Sequence, residues 1–380
     1  MMLACLAVAA CDPAPQPAGD VEGTDGGEDA GTDSNADDGA DGSGGPGNGG
    51  SIPSEPGVEW SVPLLDDRLI LNMEASNERV VVVQSRVFPE THTTVVAYTP
   101  TMELDWEIEL DEASAVDFTT LDDGSYLLAG GAGPSETQVP GLWHLSCCGE
   151  LQQSYTYPEL AEEPGAAVLV SPHAGGIMMA TFGFDGSDIV RLGADFSIEW
   201  EANLPGHPIA WALTPDGNLA MTATDEFSTA QTLWDVSTDG LNVGSSLQRP
   251  LALVGSGANL TLMASELDQM VIQAFGAFDA VAIPVPQLPF LEAEYAASRG
   301  TRLVITNGIT NDEGGRSVQL TEADDIGDIH RRLFIDANPG QDFINATVSA
   351  VSEDDTIYVV TQQAALGETL MSDLHRIPAL

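Results

Sequence analysis

The chain has 380 residues, of which 43% are hydrophobic, and its formal net charge is −48, from 59 acidic and 11 basic residues. Its length and apolar content are enough for one sizeable core. The acidic excess excludes nucleic acid as a partner, because the phosphates would be repelled, and it disfavours docking on an anionic membrane surface. Such a charge is typical of a solubilising surface on a protein outside the cytoplasm.

The N-terminus is a short apolar run, residues 1–11, that ends in Val8-Ala9-Ala10-Cys11. These four residues resemble a bacterial lipobox, which implies that Cys11 carries a lipid after signal cleavage. The run is too short to span a bilayer, which needs about 20 apolar residues. No Lys or Arg precedes it, as a signal peptide should have. We expect a lipid-anchored protein of the cell envelope, at the outer membrane, in the periplasm or on the cell surface. The alternative is an ordinary secretory signal and a secreted protein.

Residues 12–56 differ sharply in composition from everything that follows. Gly, Asp, Ser and Pro dominate, and aromatic residues are absent. Such a segment cannot bury enough apolar surface to offset the entropy of ordering. We predict a disordered, acidic and self-repelling tether between the anchor and a folded domain over residues 57–380.

The stretch from Ala166 to Gly206 contains four short apolar or alternating runs, each separated from the next by Gly, Pro, Asp or His. The runs are Ala167–Ser171, Ile177–Phe182, Asp188–Leu192 and Ile198–Leu204. Strand-length runs punctuated by turn residues predict an antiparallel four-stranded meander. One such sheet cannot bury both of its faces, so it requires further copies of itself.

About seven copies of this unit follow one another, with turns roughly 40–55 residues apart. The turns between first and second strands are Ser76-Asn77-Glu78, Asp122-Asp123-Gly124, His173-Ala174-Gly175, Pro215-Asp216-Gly217, Gly255-Ser256-Gly257, Ser298-Arg299-Gly300 and Glu353-Asp354-Asp355. We place third strands at Thr94–Tyr98, Gly141–Leu145, Asp188–Leu192, Thr232–Val236 and Asp373–Ile377, and less regular ones around Phe278–Ile283 and Arg316–Leu320. The sequence therefore predicts an all-β, seven-bladed β-propeller of four-stranded antiparallel blades.

The fourth strands carry a Trp that also predicts how the ring closes. Trp106 and Trp200 begin fourth strands, and Trp60 stands in a matching segment at the start of the folded region. The last copy ends after its third strand, so Val58–Leu64 is predicted to supply its fourth strand. Closure of this kind removes free sheet edges. We expect the three Trp side chains to pack between blades.

The segment Thr94–Glu107 is similar to the quinoprotein-type, or PQQ-like, propeller repeat, in which an apolar strand and a turn precede a Trp that begins the next strand. Asp188–Trp200 fits the same pattern. The resemblance covers residues 57–380 as an architecture, and its motif is strict in two or three blades. It implies the propeller fold; it does not identify a cofactor, and we expect none.

Cys147 and Cys148 are adjacent and follow Trp143-His144-Leu145, in the predicted turn between a third and a fourth strand. In an oxidising envelope compartment they favour a disulfide that stiffens a turn. Quinoprotein alcohol dehydrogenases carry such a vicinal disulfide over their quinone. The outer position of this turn argues against that role, because the quinone lies near the central axis. Metal binding is a further alternative.

The six histidines form none of the HxH, HExxH or CxxC-type arrangements, so the sequence predicts no metal site. GxSxG, P-loop and dinucleotide motifs are also absent, and we nominate no catalytic residue. His173 and His207 fall at strand or blade ends, where we expect surface positions.

First strands line the central channel of a propeller, so ligand-binding candidates should lie there. The polar or aromatic candidates, drawn from several different blades as a shared axial pocket requires, are Asn72, Asp117, His207, Trp211, Tyr295 and Asn345. Ordinary water-filled channel lining is the competing interpretation.

Three functions fit these features. The first is a non-enzymatic, monomeric scaffold that binds envelope proteins or an extracellular ligand; it resembles, by fold alone, the lipoprotein propeller of the outer-membrane assembly machinery. The alternative is a propeller enzyme with an axial active site, either a quinone-dependent dehydrogenase or a hydrolase or lyase. A carbohydrate-binding module ranks last, because few aromatic residues remain for an exposed face.

Overall fold

A computed structural model of the chain describes residues 58–379 except 59, 66, 77, 87–90, 161–163, 184–185, 225–230, 248–250, 255–259, 267–268, 275–280, 285–294, 300–301, 311–315, 325–326, 339–340, 342 and 365–369. Cys11 and the predicted tether lie outside these residues. Every regular element of the described part is a β-strand, and none of it forms a helix long and apolar enough to cross a membrane.

The described strands form seven four-stranded antiparallel sheets, which we number as blades in chain order. After β1 (Trp60–Pro63), blade 1 contains β2 (Leu69–Ala75), β3 (Val80–Arg86), β4 (His92–Tyr98) and β5 (Leu104–Asp111). Blade 2 contains β6 (Ala113–Thr120), β7 (Tyr126–Ala132), β8 (Val139–Leu145) and β9 (Leu151–Thr156), and blade 3 contains β10 (Ala166–His173), β11 (Gly176–Phe182), β12 (Ser187–Leu192) and β13 (Ile198–Leu204). Blade 4 contains β14 (His207–Leu213), β15 (Leu219–Thr224), β16 (Gln231–Ser237) and β17 (Gly240–Leu247), and blade 5 contains β18 (Leu251–Val254), β19 (Thr261–Glu266), β20 (Gln269–Ala274) and β21 (Val281–Pro284). Blade 6 contains β22 (Tyr295–Arg299), β23 (Arg302–Thr310), β24 (Arg316–Asp324) and β25 (Ile329–Asp336), and blade 7 contains β26 (Phe343–Val351), β27 (Ile357–Ala364), β28 (Met371–Ile377) and β1.

The predicted seven-bladed propeller is confirmed, with one error in strand assignment. Phe278–Ile283, predicted as a third strand, overlaps β21, which is the fourth strand of blade 5. The third strand of blade 5 is instead β20, which pairs antiparallel with β19 and places Gln269 opposite Glu266. Apolar residues occur in both β20 and β21, so hydrophobicity alone does not distinguish them.

The ring is closed by β1, as predicted. This strand pairs antiparallel with β28, placing Trp60 opposite Arg376 and Val62 opposite Leu374. Half-buried Val62 packs against a core cluster that joins blades 7 and 1. The position of the Trp60 side chain lies outside what the structure describes.

Two of the predicted Trp contacts are present between blades. Trp106 packs against a core shared by blades 1 and 2, and its ring lies 5.7 Å from that of Tyr126, centroid to centroid. Trp200 packs against a core shared by blades 3 and 4, where its Nε1 donates to the Thr238 carbonyl at 2.8 Å. Trp106 and Trp200 thus each contact the next blade.

The first strands carry a recurring irregularity that shapes the channel. In β2, β6, β10, β14 and β26 the pairing with the next strand skips one residue, as a β-bulge does. The skipped residues are Leu71, Val116, Val168, Ile209 and Thr347. Four of the five are aliphatic, and those four line the central cavity.

Candidate ligand-binding sites

A cavity of about 690 Å³ lies among the first strands of blades 1 to 5 and blade 7. Its apolar wall is a ring of aliphatic side chains from six blades: Leu71, Val116, Val168, Ile209, Leu253 and Val348. Its polar wall is concentrated in blades 1 and 2, where Asn72, Glu74 and Asp117 lie on neighbouring strands. We call this space the channel cavity.

Asp117 joins three blades through its carboxyl group. Its Oδ1 accepts a hydrogen bond from Asn72 Nδ2 of blade 1 at 2.6 Å, and its Oδ2 accepts one from the Val170 amide of blade 3 at 2.8 Å. The Phe118 amide donates a further bond. Burial nevertheless raises the pKa of Asp117 to about 7, and the nearby Glu74 contributes to this rise.

Glu74 is the second carboxyl group of the channel cavity. Its Oε2 accepts a hydrogen bond of 2.5 Å from the Thr120 hydroxyl of blade 2, and the Thr120 amide donates another. Burial raises the pKa of Glu74 above its usual range, against the effect of these bonds. Two neighbouring acids therefore lie in one cavity, each with a reduced tendency to ionise.

The structure brings together three of the six nominated channel residues. Asn72, Asp117 and Trp211 line the channel cavity. His207 and Asn345 are not among its lining residues; His207 instead contacts Phe182, with ring centroids 4.8 Å apart. The Tyr295 side chain lies outside the described residues.

Glu74 and the Val170 amide were missed by the sequence analysis. Glu74 lies two positions after Asn72 on β2, so strand alternation could have placed it on the same face. The Val170 amide had no such signal, because a backbone donor is available only through the way blades 2 and 3 pack.

A second cavity, of about 790 Å³, opens among the turns of blades 2, 3 and 4. We call it the turn cavity. Leu121, Ile177, Phe196 and Leu213 give it an apolar floor, and its rim includes exposed acidic residues in the turn between β6 and β7. Phe196 is held by stacking on Tyr155, with centroids 4.3 Å apart. Leu213 lines both cavities, so they are neighbours.

Hydrogen bonds fix the acidic rim of the turn cavity. Asp123 Oδ1 accepts a bond of 2.5 Å from the Ser125 hydroxyl, which also lies 2.9 Å from His144 Nε2. Bonds from the Ser125 hydroxyl and amide hold the pKa of Asp123 below its usual range. Asp123 is therefore ionised at neutral pH and faces solvent beside an apolar floor.

His173 corrects the expectation of a surface position. It lines the turn cavity but is 4% exposed, and its Nε2 lies 2.9 Å from the Gly217 carbonyl of blade 4. Its Nε2–H can donate to that oxygen, so the ring ties two blades together. The His173 side chain is buried because it lies against the next blade, although Ala174 and Gly175 of the same turn are exposed.

Cys147 and Cys148 lie in the turn between β8 and β9, with their Sγ atoms 3.7 Å apart. Arg79 of blade 1 donates to the Cys147 carbonyl and forms an ion pair of 2.9 Å with Asp105. The pair is thus located at the contact of blades 1 and 2, away from the channel cavity. The disulfide stays a prediction, which thiol counting before and after reduction tests.

Among the described residues, no group of three or more His, Cys, Asp or Glu side chains is placed to hold a metal ion. The two acids of the channel cavity do not make such a group.

Comparisons with known proteins establish the fold alone. No family model and no curated protein matches the chain. A chain from the crystal structure of the mitotic checkpoint complex is similar with a TM-score of 0.53 and 13% identity, covering 92% of this chain and 99% of that one. The Dos1 propeller is similar with a TM-score of 0.51 and 13% identity, covering 80% and 77%.

The β-propeller domain of the trilobed protease from Pyrococcus furiosus is also similar, with a TM-score of 0.50 and 12% identity, covering 80% of this chain and 92% of that one. That domain is described as having an open velcro topology. Here, by contrast, β1 pairs with β28 and closes the last blade.

Proposed function

We propose that this protein is a non-enzymatic β-propeller of the cell envelope, anchored by a lipid on Cys11, that binds a protein partner through the turn cavity. The observation that carries this proposal is an apolar floor open to solvent beside an ionised acidic rim. Apolar side chains exposed in a concave, polar-rimmed surface are typical of interaction sites.

The chemistry of the turn cavity suggests the kind of segment it binds. Phe196 and Leu213 offer apolar contact, while Asp122 and Asp123 offer negative charge at the edge. Among the described lining residues none is Arg or Lys, and neighbouring Arg191, which donates to the His173 and Ala174 carbonyls, is already paired with Glu199. A partner loop that carries an aliphatic or aromatic residue next to a basic one is complementary to this surface.

Site-specific photo-crosslinking in the protein's own cells tests this function. A crosslinking residue at Ala194, on the rim of the turn cavity, is expected to capture a discrete protein. The same residue at exposed Gln152, on the outer strand β9, serves as the matched control and should not capture it. The double variant Leu213→Asp, Phe196→Ser should lose the adduct. Equal adducts from both positions, or none from Ala194, would contradict the proposal.

The anchor is tested separately, since the partner site and the lipid are independent. Growth with an alkyne-tagged fatty acid should label the wild-type protein and leave Cys11→Ser unlabelled. An unlabelled wild-type protein in the culture medium would instead support secretion without a lipid.

A propeller enzyme is the second candidate, and one observation favours it. Glu74 and Asp117 are neighbouring acids with raised pKa values in an axial cavity, as groups used for proton transfer often are. Absorbance and metal analysis of the native protein, together with turnover assays, test this candidate. A bound quinone, a stoichiometric calcium ion or measurable turnover would support it over the scaffold.

A further inference from the structure

We propose that the channel cavity binds an organic cation, an ammonium group on an aliphatic chain, with Glu74 and Asp117 as its counter-ions. This site is separate from the turn cavity and goes beyond the proposed protein-binding function. The ligand class follows from three features of the cavity: the groups that surround the carboxyls, the charge of the walls and the aliphatic ring.

The groups around Asp117 are suited to an ionised carboxylate. Asn72 Nδ2, the Val170 amide and the Phe118 amide are all N–H donors, and they come from three successive blades. A carboxylate accepts such bonds, whereas a protonated acid also needs an acceptor for its own O–H. The structure gives Asp117 no such acceptor among these contacts.

Glu74 is surrounded in the same way, since the Thr120 hydroxyl and amide both donate to it. The two carboxylates are thus prepared on opposite sides of one blade interface, Glu74 on β2 and Asp117 on β6. Two like charges in a partly enclosed space repel each other, and Glu74 contributes to the raised pKa of Asp117. A cation between them would remove this repulsion.

The described channel walls supply no such cation. Neither carboxyl forms an ion pair with any described residue, and no Arg lines the channel cavity. The chain contains no Lys. Within the described walls, the positive charge that would complete the site is therefore left to a ligand.

The aliphatic ring determines what else the ligand carries. Bulged residues of four blades, Leu71, Val116, Val168 and Ile209, face the same cavity as the two acids. A hydrated inorganic cation gains nothing from this ring, whereas an alkyl chain is desolvated by it. A volume of about 690 Å³ lies within the range of small-ligand sites.

Calorimetric titration of the full chain with 1,5-diaminopentane tests the site. At pH 8 the diamine should bind, while 1,5-pentanediol, which has the same chain without charge, should bind at least about tenfold more weakly. Lowering the pH to 5.5 should weaken diamine binding at least about tenfold, because Asp117 takes up a proton as the pH falls through about 7. Glu74 is the titratable group that faces it from β2, and it shifts in the same direction.

Three variants separate a counter-ion role from a structural one. Glu74→Gln and Asp117→Asn should each lower the affinity for the diamine about tenfold or more. Asp188→Asn, which removes a half-buried carboxyl on β12 outside the cavity, should leave it unchanged. If Asp117→Asn fails to fold, Glu74→Gln and the pH dependence of the wild type still decide the matter.

A lysine-containing peptide distinguishes the two sources of an alkylammonium group. Tight binding of the diamine alone indicates a free amine, and tight binding of the peptide alone indicates a lysine of a partner protein. Equal affinity for diamine and diol, an unchanged affinity in Glu74→Gln, or no binding of either amine at millimolar concentration would overturn the proposal.

Discussion

The channel cavity and the turn cavity are neighbours that share Leu213, yet they are built in opposite ways. The channel cavity is formed by strands, and its acids hold three blades together through hydrogen bonds. The turn cavity is formed largely by turns, and its acidic rim makes bonds within a single turn. Changes in the channel should therefore alter the stability of the fold, while changes at the turn rim should alter binding alone.

The largest effect expected from this difference is a pH-dependent loss of stability through Asp117. Its pKa is about 7 in the folded chain and 3.8 as an ordinary Asp, so the folded state holds the proton more tightly. Its contribution to the free energy of unfolding is full below about pH 4 and falls by up to about 4 kcal/mol as the pH rises to 7 and above. Urea unfolding of wild type and Asp117→Asn between pH 4 and 8 measures it. If the free energies of unfolding of the two proteins changed in parallel with pH, Asp117 would not be the source of this pH dependence.

A buried histidine away from both cavities should have the opposite effect, lowering the free energy of unfolding as the pH falls. Burial lowers the pKa of His375 on β28 to about 4, from an ordinary value of 6.5, and its Nε2 lies 2.7 Å from the Thr361 hydroxyl. Its contribution is full above about pH 6.5 and decreases by up to about 3 kcal/mol as the pH falls to 4. In urea denaturation, the free energy of unfolding of His375→Gln should not show this decrease between about pH 6.5 and 4, whereas that of Asp117→Asn should still show it.

The smallest effect is expected at the turn rim, where charges are exposed. Asp123→Asn should weaken capture of the crosslinked partner by roughly three- to tenfold and leave the free energy of unfolding within about 0.5 kcal/mol. Raising NaCl from about 50 to 500 mM should have a similar effect on the wild type, because salt screens exposed charges. Partner affinity of the wild type and of Asp123→Asn, measured over a range of NaCl concentrations, checks both expectations. An affinity that does not depend on salt would show that the acidic rim does not contribute to partner binding.

The propeller and its closure could be predicted because turns and strands have local residue patterns that are visible in the sequence. Asp122-Asp123-Gly124 needs a residue that accepts a positive φ, and Gly124 has a φ of 78°. The Trp of the fourth strand repeats at Trp106 and Trp200 because each fills the same gap between blades. The turn signal recurs in most blades and the Trp in two or three of them, and both are weak in blade 5, where the third strand was misplaced.

The composition of the channel site could be predicted only in part. Asn72 and Asp117 were found as polar residues on first strands, and the structure joins them directly. The β-bulges that aim aliphatic residues into the cavity have no sequence signature of their own, since Val116 and Val168 read as ordinary strand residues. Burial of His173 depends on the neighbouring blade, which a single turn does not reveal.

The pairing of β1 with β28 has a consequence for how the chain is made and damaged. Blade 7 draws on residues near both ends of the folded region, with Trp60 opposite Arg376. While the chain is being synthesised, the growing arc therefore keeps an unpaired edge until its final strand has emerged. Loss of β1 by proteolysis and loss of β28 by a premature stop would both leave blade 7 open, and loss of β28 would also leave β1 without its partner strand.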